Sequence, residues 1–179
     1  ETARGMLVTI LYRMEGEPKT SGLLFDDVAA EQYYAPAIAW ASAKGIVAGY
    51  DAHHFGPDDA LTREQMAAIL YRYAAAKGYA VTQRADLSVF RDAAQITSYA
   101  QDVLSWANAE GLITGMGDGL LNPGGNATRA QTAAILLRFQ EKRTDFQKRR
   151  PAIFQSPLPE QSNWDESRPQ IHTSRRFRQ

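Results

Sequence analysis

A twelve-residue stretch that occurs three times constrains the fold of this chain more than any other feature. The clearest copy covers residues 61–72, a second covers 127–138, and a third opens the chain at 2–13. Each copy has an arginine near its start and then apolar residues three or four positions apart, which predicts an amphipathic helix. Three like helices can bury their apolar stripes against one another, so the sequence predicts a fold organised around them.

The start of each predicted helix carries a further signal. Thr62 with Gln65, and Thr128 with Gln131, have the spacing of a capping box, in which the two side chains satisfy backbone N–H groups at the helix start. The copy that opens the chain has Ala3 in place of the threonine. We therefore expect two capped helices and one that lacks the box.

A longer unit surrounds the two later copies. Matched residues are separated by 66 positions from Trp40 onward and by 65 at Phe25. They pair as Phe25 with Phe90, Trp40 with Trp106, Gly45 with Gly111, Gly49 with Gly115 and Pro57 with Pro123. The pattern predicts another helix in each unit, over about 33–44 in the first, with a glycine just after its end. A two-helix unit cannot bury both faces alone, so neighbouring units must supply the rest of the core.

The chain therefore divides into four segments. Residues 1–16 are predicted to form the last helix of an incomplete repeat, 17–82 and 83–142 two complete repeats, and 143–179 a tail. The tail is rich in Pro, Gln, Ser and Arg and lacks apolar periodicity, so we predict that it is disordered. Because the chain does not begin with Met and opens inside a repeat, we expect a fragment or a processed chain.

Charge and composition narrow the function. Residues 1–142 hold 12 basic and 16 acidic side chains, whereas residues 143–179 hold 8 and 4. The mildly acidic repeats argue against a nucleic-acid surface. The basic tail is either a solvated tail or non-native extension, or a contact for an anionic polymer or nucleic acid. There are no cysteines, which excludes disulfides and thiolate metal sites. No apolar run approaches the ~20 residues of a membrane span, so we expect no membrane insertion.

Motifs for catalysis and metal binding are missing from the sequence. His53 and His54 follow Asp51 in a predicted loop, but the matching loop at 117–122 has no histidine. We therefore do not expect a metal site. No nucleophile motif and no phosphate-binding loop is present, so we expect neither catalysis nor a cofactor.

The order of motifs points to a known family. Each complete unit reads Phe-x-Asp, Trp, Gly-Ile/Leu-x-x-Gly, Pro, and then Thr-Arg at a helix start. Over residues 1–142 this order resembles the S-layer homology (SLH) domain family. The resemblance implies an all-α fold of tandem helix-loop-helix repeats, in which signature helices form a pseudo-threefold central bundle with grooves between repeats. It also implies an extracellular module that anchors proteins to the bacterial cell wall or S-layer by binding anionic, often pyruvylated, secondary cell-wall polysaccharides.

The resemblance further implies ligand-binding positions. They are Arg63, Arg129 and Arg4 for the family's glycan-contacting arginine, Asp27 and Asp92 for the acidic residue of the opening motif, and Gly49 and Gly115 for the second glycine of the loop. The sequence departs from the family at Gln65 and Gln131, which replace a glutamate, and in the missing first half of the opening repeat.

Physical chemistry supports an anion site at the arginines. A helix N-terminus has unpaired N–H groups and a partial positive charge, and a first-turn guanidinium adds a planar fork that matches a carboxylate. Glutamine keeps the capping geometry without adding a competing negative charge, so we expect Gln65 and Gln131 to preserve anion binding. The alternative for Arg63 and Arg129 is a solvated side chain or an ion pair with Asp27 or Asp92, the aspartates of the opening motif.

Two further sets of residues keep two interpretations each. Trp40 and Trp106 can stack on sugar rings, but alanines at helical spacing around them favour core packing. Asp27 and Asp92 can bind sugar hydroxyls or cap a turn.

The proposed role has two rivals. The repeats can contact another S-layer subunit, as a structural or protein-interaction module, or the chain can be the anchoring fragment of a larger cell-surface hydrolase. An incomplete repeat also leaves apolar helix surface, so a homo-oligomer that completes it is a further expectation.

Overall fold

The computed structural model describes residues 1–20 and 25–149, and within these ranges the protein is helical. The α-helices there are α1 Arg4–Met14, α2 Ala35–Ala43, α3 Arg63–Ala76, α4 Gln101–Ala109, α5 Arg129–Glu141 and α6 Arg143–Lys148. Short 3₁₀ turns cover Leu87–Val89, Ala93–Gln95 and Ser98–Ala100. The same ranges contain only isolated β-bridges and no strand. The predicted all-α class is therefore confirmed.

The three repeated stretches become α1, α3 and α5, which we call the signature helices. The hydroxyl of Thr62 accepts from the Gln65 N–H, and the Gln65 side chain accepts from the Thr62 N–H, both at 3.2 Å. Thr128 forms the same capping box at the start of α5. Ala3 provides no side-chain cap for α1. The capping predictions are confirmed because the box depends only on residues three positions apart.

A ring of three backbone hydrogen bonds joins the starts of the signature helices. The N–H of Leu61 donates to the Thr2 carbonyl at 2.8 Å, Ala127 N–H donates to Leu61 at 2.7 Å, and Thr2 N–H donates to Ala127 at 2.9 Å. Each of these residues immediately precedes the cap position of its helix. The ring closes on itself with equivalent residues, so it lies around a pseudo-threefold axis, as predicted.

The remaining helices pack on the outside of the signature helices. Trp40 of α2 lies against Tyr12 of α1, with ring centroids 5.7 Å apart, and Trp106 of α4 lies against Tyr71 of α3 at 5.3 Å. The same tyrosine–tryptophan pair therefore joins an outer helix to a signature helix at equivalent positions in both complete repeats. Farther along the bundle, Tyr73 of α3 contacts the Phe139 ring of α5 and donates its hydroxyl to Glu15, which follows α1.

The prediction that residue 143 begins a disordered tail is wrong for residues 143–149. The short helix α6 follows α5, and its Phe146 is fully buried among Tyr79, Trp106 and Phe139. A single apolar residue in six gives no periodic signal, and the cavity that it fills is built by distant parts of the chain. The remainder of the predicted tail, residues 150–179, and part of the linker, 21–24, lie outside the described residues.

Among residues 1–20 and 25–149, no helix combines the length and the apolar character that crossing a membrane requires.

Candidate functional site

Grooves run along the boundaries between the signature helices. Groove A, between α1 and α3, contains Arg4 and Arg72 and has a volume of about 360 Å³. Groove B, between α3 and α5, contains Arg63 and Arg138 and has a volume of about 250 Å³. Each groove therefore combines the first-turn arginine of one signature helix with a third-turn arginine of the next.

Groove C, between α5 and α1, completes the set around the pseudo-threefold axis. It contains Arg129 and Arg13 and has a volume of about 550 Å³. Grooves A and B each have a wall formed by the loop after an outer helix, residues 47–50 and 112–116 respectively, whereas no comparable loop lines groove C in the described part of the chain. Groove C accordingly has the largest volume of the three.

The loops of the repeats hold Arg4 and Arg63 in equivalent ways. Arg4 donates from Nε to the Phe55 carbonyl at 3.1 Å and from Nη2 to the Ala48 carbonyl at 3.2 Å. Arg63 donates in the same way to the carbonyls of Leu121 and Thr114, at 3.0 and 2.6 Å. The two side chains are only 6% and 3% exposed, and this burial lowers the pKa of both guanidinium groups. Each arginine fastens the loop of the following repeat onto the preceding signature helix.

One edge of each guanidinium remains available to a ligand. The Nη1 groups of Arg4 and Arg63 have no hydrogen-bond partner among residues 1–20 and 25–149. In that part of the chain, Trp106 Nε1 is the one side-chain nitrogen or oxygen that is both sealed from solvent and unpartnered. Neither Nη1 group is thus a sealed atom without a partner, and the residues that carry them line grooves A and B.

The predicted open N-termini are not present at α1 and α3. The N–H groups of Arg4 and Gly5 donate to the carbonyls of Asp59 and Pro57, at 3.0 and 2.8 Å. The first turn of α3 donates in the same way to the carbonyls of Gly125 and Pro123. The prediction that free backbone N–H groups bind the anion is thus wrong at these two helices, because loops from the next repeat satisfy them. The guanidinium groups are the donors that remain.

The two aspartates of the opening motif hold the same loops. Asp27 accepts hydrogen bonds from the N–H groups of Phe55 and Gly56, and Asp92 accepts the equivalent pair one repeat later. Burial acts to raise the pKa of each carboxyl group, but these N–H donors outweigh it, and both pKa values are lowered. Of the two interpretations left open by the sequence, the structure shows the turn-capping one. Neither aspartate forms an ion pair with an arginine of the described residues.

The two loop glycines pack against the first residue of the opening motif. A Cβ atom on Gly49 would lie 2.6 Å from the Phe25 ring, and one on Gly115 would lie 3.0 Å from the Phe90 ring. Both glycines also line grooves, A and B respectively. Close packing alone therefore accounts for glycine at these positions, while their role in ligand binding stays a prediction.

Of the two interpretations of Trp40 and Trp106, the structure supports core packing. Trp106 is fully buried and Trp40 nearly so, and neither lines groove A, B or C. Each ring is instead covered by a tyrosine of the adjacent signature helix, so the core-packing interpretation is the one that the structure shows.

Arg129 differs from its two counterparts. It is exposed on α5, lines groove C, and has no hydrogen bond or ion pair with any described residue. The loop carbonyls that orient Arg4 and Arg63 have no equivalent around Arg129. For this residue the solvated-arginine interpretation fits better than a built site.

Sequence reasoning missed the second arginine of each groove. Arg13, Arg72 and Arg138 lie nine residues after the first arginine of their copies and line grooves C, A and B. The signal was available, since the arginine occurs at the same position in all three copies. Exposed tyrosines were also missed: Tyr33 lines groove C, and Tyr99 lines groove A.

The loop histidines form local pairs with carboxylates. His53 Nδ1 lies 3.0 Å from Asp26, and His54 Nδ1 lies 3.0 Å from Asp51. The hydrogen bond that His54 forms with the Asp51 carboxylate raises the pKa of His54, which is exposed. The described ranges contain no cluster of three or more His, Cys, Asp or Glu side chains suited to a metal ion.

The fold and the grooves define a class of protein: a helical repeat module that offers arginine-containing grooves between repeats arranged around a pseudo-threefold axis. Comparison with known families makes this specific. The family model of the S-layer homology domain matches residues 24–67 and 89–133, and the chain belongs to that family. The matches cover the opening motif, the outer helix, the loop and the start of the signature helix in each complete repeat.

Similar regions occur in proteins of different kinds. The chain is 35% identical over 118 residues to an amylopullulanase of Thermoanaerobacterium thermosulfurigenes, which is 66% of this chain and 6% of that protein. It is 35% identical over 120 residues to the surface-layer 125 kDa protein of Lysinibacillus sphaericus, and the alignment covers 65% of this chain and 10% of that protein. It is 26% identical over 125 residues to a cellulosome-anchoring protein of Acetivibrio thermocellus, 69% of this chain and 27% of that protein. The chain thus spans a minor part of each relative.

Proposed function

We propose that this chain is a non-catalytic anchoring module, located outside the cell at the wall or S-layer, that binds an anionic wall polysaccharide in grooves A and B. The observation that carries the proposal is the pair of guanidinium groups in each groove. Arg4, Arg72, Arg63 and Arg138 form no ion pair with any described residue. Unneutralised cations in a groove favour an anionic ligand.

The chemistry of the grooves favours a carboxylate on a sugar. A guanidinium presents planar N–H donors that match the two oxygens of a carboxylate, and its weak hydration lowers the cost of stripping water from it. A pyruvate ketal places one such carboxylate on a pyranose ring. Loop backbone and glutamine side chains in the same grooves offer hydrogen-bonding groups for sugar hydroxyls. A pyruvylated secondary cell-wall polysaccharide therefore fits both the charge and the polarity of the grooves.

The relatives support a tethering role. Their names describe an amylopullulanase, a surface-layer protein and a cellulosome-anchoring protein, and the similar region is a minor part of each. A region shared by proteins with such different activities is suited to a common location rather than to a common reaction. A cell-surface anchor attached to a larger protein, a hydrolase among the alternatives, accounts for this distribution.

A second candidate is a protein contact through groove C. This groove is wide, and Met6, Ile10 and Leu136 give it a largely apolar lining. An apolar groove suits another S-layer subunit or a second copy of this chain. Light scattering over a range of concentrations tests the second copy: a strict monomer would exclude it.

Sedimentation with purified wall sacculi tests the anchoring function. We expect the chain to co-sediment with intact sacculi. After chemical removal of the polysaccharide, we expect its affinity for the sacculi to fall at least about tenfold, because charged hydrogen bonds contribute about 1.5–3 kcal/mol each. Binding that survives the removal would favour a protein or peptidoglycan contact instead.

The choice of variants follows from the structure. Arg63→Ala would release the loop at Leu121 and Thr114, so it tests the fold as well as binding. The double variant Arg72→Gln/Arg138→Gln removes two exposed groove charges, and we expect it to lose wall retention while its helix content is unchanged. Lys44→Gln is a matched control, because Lys44 is exposed and lines none of the three grooves.

A further inference from the structure

Grooves A and B are related by the repeat but differ in composition. Tyr50 of groove A corresponds to Met116 of groove B. Tyr99, from the following repeat, also lines groove A, whereas no aromatic residue among 1–20 and 25–149 lines groove B. Groove A is the larger, about 360 Å³ against about 250 Å³. The two grooves therefore offer a ligand different surfaces.

The walls of groove B are connected by their own side chains. Arg138 donates from Nη1 to the Leu112 carbonyl at 3.1 Å, and the Gln131 amide lies 3.3 Å from Met116 Sδ. A ligand that entered groove B would compete with both contacts.

Groove A lacks these connections. Arg72 forms no hydrogen bond or ion pair with any residue in 1–20 or 25–149, and the side-chain hydrogen bond of Gln65 is the one that caps its own helix. The side chain of Arg72 is exposed, so a ligand can bind its guanidinium without displacing a partner among these residues.

Aromatic rings surround the cation of groove A. The Arg4 guanidinium lies 4.6 Å from the centroid of the Tyr50 ring and 4.8 Å from that of Phe55. Tyr50 and Tyr99 are 55% and 52% exposed, which is high for residues of this size. The Tyr99 hydroxyl donates to Glu64 at 3.3 Å, which ties the ring to the start of α3. Exposed ring faces beside a guanidinium suit a ligand that has both an apolar C–H face and a carboxylate, as an acidic sugar does.

A second cation acts on the Arg4 guanidinium. Burial lowers the pKa of Arg4, Tyr50 and Asp59 act in the opposite direction, and the positive charge of Arg72 has a smaller effect in the same direction as burial. Arg4 and Arg72 line the same groove, so a carboxylate bound there can contact both guanidinium groups.

We propose that groove A is the principal ligand-binding groove of this chain, in which Arg4 and Arg72 hold the carboxylate of an acidic sugar and the rings of Tyr50 and Tyr99 contact its pyranose face. This inference rests on the proposed function and assigns unequal roles to two grooves that the repeat makes equivalent in position.

Calorimetric titration with two matched glycosides tests it. One probe is a synthetic methyl glycoside with a 4,6-pyruvate ketal, and the other has a neutral isopropylidene acetal in its place. We expect Arg72→Gln to weaken binding of the pyruvylated probe at least about tenfold, and the matched variant Arg138→Gln to weaken it less than about threefold. We expect Tyr99→Ala to weaken binding about fivefold and Tyr99→Phe to stay near the unmodified chain, because the ring and not the hydroxyl makes the contact.

The outcomes separate the two proposals. If the unmodified chain does not prefer the pyruvylated probe over the neutral one, the proposed function fails and this inference fails with it. If the preference holds but Arg138→Gln weakens binding of the pyruvylated probe as much as Arg72→Gln does, the inference is overturned and the proposed function stands. Circular dichroism and thermal unfolding of each variant check that the fold is intact.

Discussion

Two of the three first-turn arginines, Arg4 and Arg63, are structural residues that also line a groove. Arg63 binds two loop carbonyls through Nε and Nη2, which leaves Nη1 at groove B. Arg4 repeats the arrangement at groove A. A lysine could not reproduce this arrangement, because its three donors share one nitrogen, whereas the two carbonyls are bound by separate nitrogens of a planar fork. The guanidinium thus connects the packing of the loop with the chemistry of the groove.

The replacement of glutamate by glutamine beside these arginines has a measurable consequence. Gln65 and Gln131 line grooves A and B and complete the capping boxes of α3 and α5. We predict that Gln65→Glu keeps the box but weakens binding of the pyruvylated probe about threefold, since it adds a negative charge to the groove. Titration calorimetry measures the change, with Gln131→Glu as the matched variant in groove B. Tighter binding by the glutamate form at Gln65 would contradict the prediction.

The helix that follows the last repeat covers an otherwise open end of the core. Phe146 of α6 fills a site made by Tyr79, Trp106 and Phe139, which belong to three different segments. Arg149, which follows α6, forms two hydrogen bonds of 2.9 Å with the carboxylate of buried Glu110. Terminal elements of repeat proteins commonly have such a covering role, because the last repeat has no neighbour.

We predict that Phe146→Ala lowers the free energy of unfolding by about 3 kcal/mol, because it leaves a cavity in the core. Leu137→Ala is the control: Leu137 is large, apolar and exposed on α5, so we expect a change within about 0.5 kcal/mol. Chemical denaturation monitored by circular dichroism measures both. Equal stability of the two variants would show that α6 does not cover the core in solution.

Three buried or half-buried carboxylates make the stability of the folded chain depend on pH. Asp27 and Asp92 hold the groove loops, and Glu15 connects α1 to α3 through Tyr73 and Lys77. Burial opposes ionisation of each carboxyl group, but the hydrogen bonds prevail, and the three pKa values are lowered. A lowered pKa in the folded state means that the ionised form stabilises the fold. Its contribution is present above the unfolded pKa of about 4 and is lost as pH falls through the folded pKa values.

We therefore predict that the melting temperature is nearly constant from pH 8 to pH 6 and falls as pH drops below about 4. Thermal unfolding across this range tests the prediction. We expect the Asp92→Asn variant to be less stable than the unmodified chain at neutral pH, because the amide cannot replace an ionised acceptor of two N–H groups. Its melting temperature should also fall less steeply as pH drops below about 4. A melting temperature that stays level or rises below pH 4 would contradict the assignment.

Local sequence patterns determined much of this architecture. The three helix starts, the two capping boxes at Thr62 and Thr128, and the outer helices around Trp40 and Trp106 depend on residues a few positions apart, and all were predictable. The pseudo-threefold arrangement followed from the resemblance of the motif order to a known family. Among the candidate site residues, the sequence correctly placed Arg4 and Arg63 at grooves, because they occupy the same position in each copy.

Tertiary structure decided what those residues do. The carbonyls that hold the side chains of Arg4 and Arg63 lie 44 to 58 residues farther along the chain, and the carbonyls that satisfy the first-turn N–H groups lie 52 to 62 residues farther. The burial of Phe146 and the difference between grooves A and B likewise depend on residues from separate repeats. Periodicity and spacing describe one helix at a time, whereas these contacts exist only after the repeats have closed around a common axis.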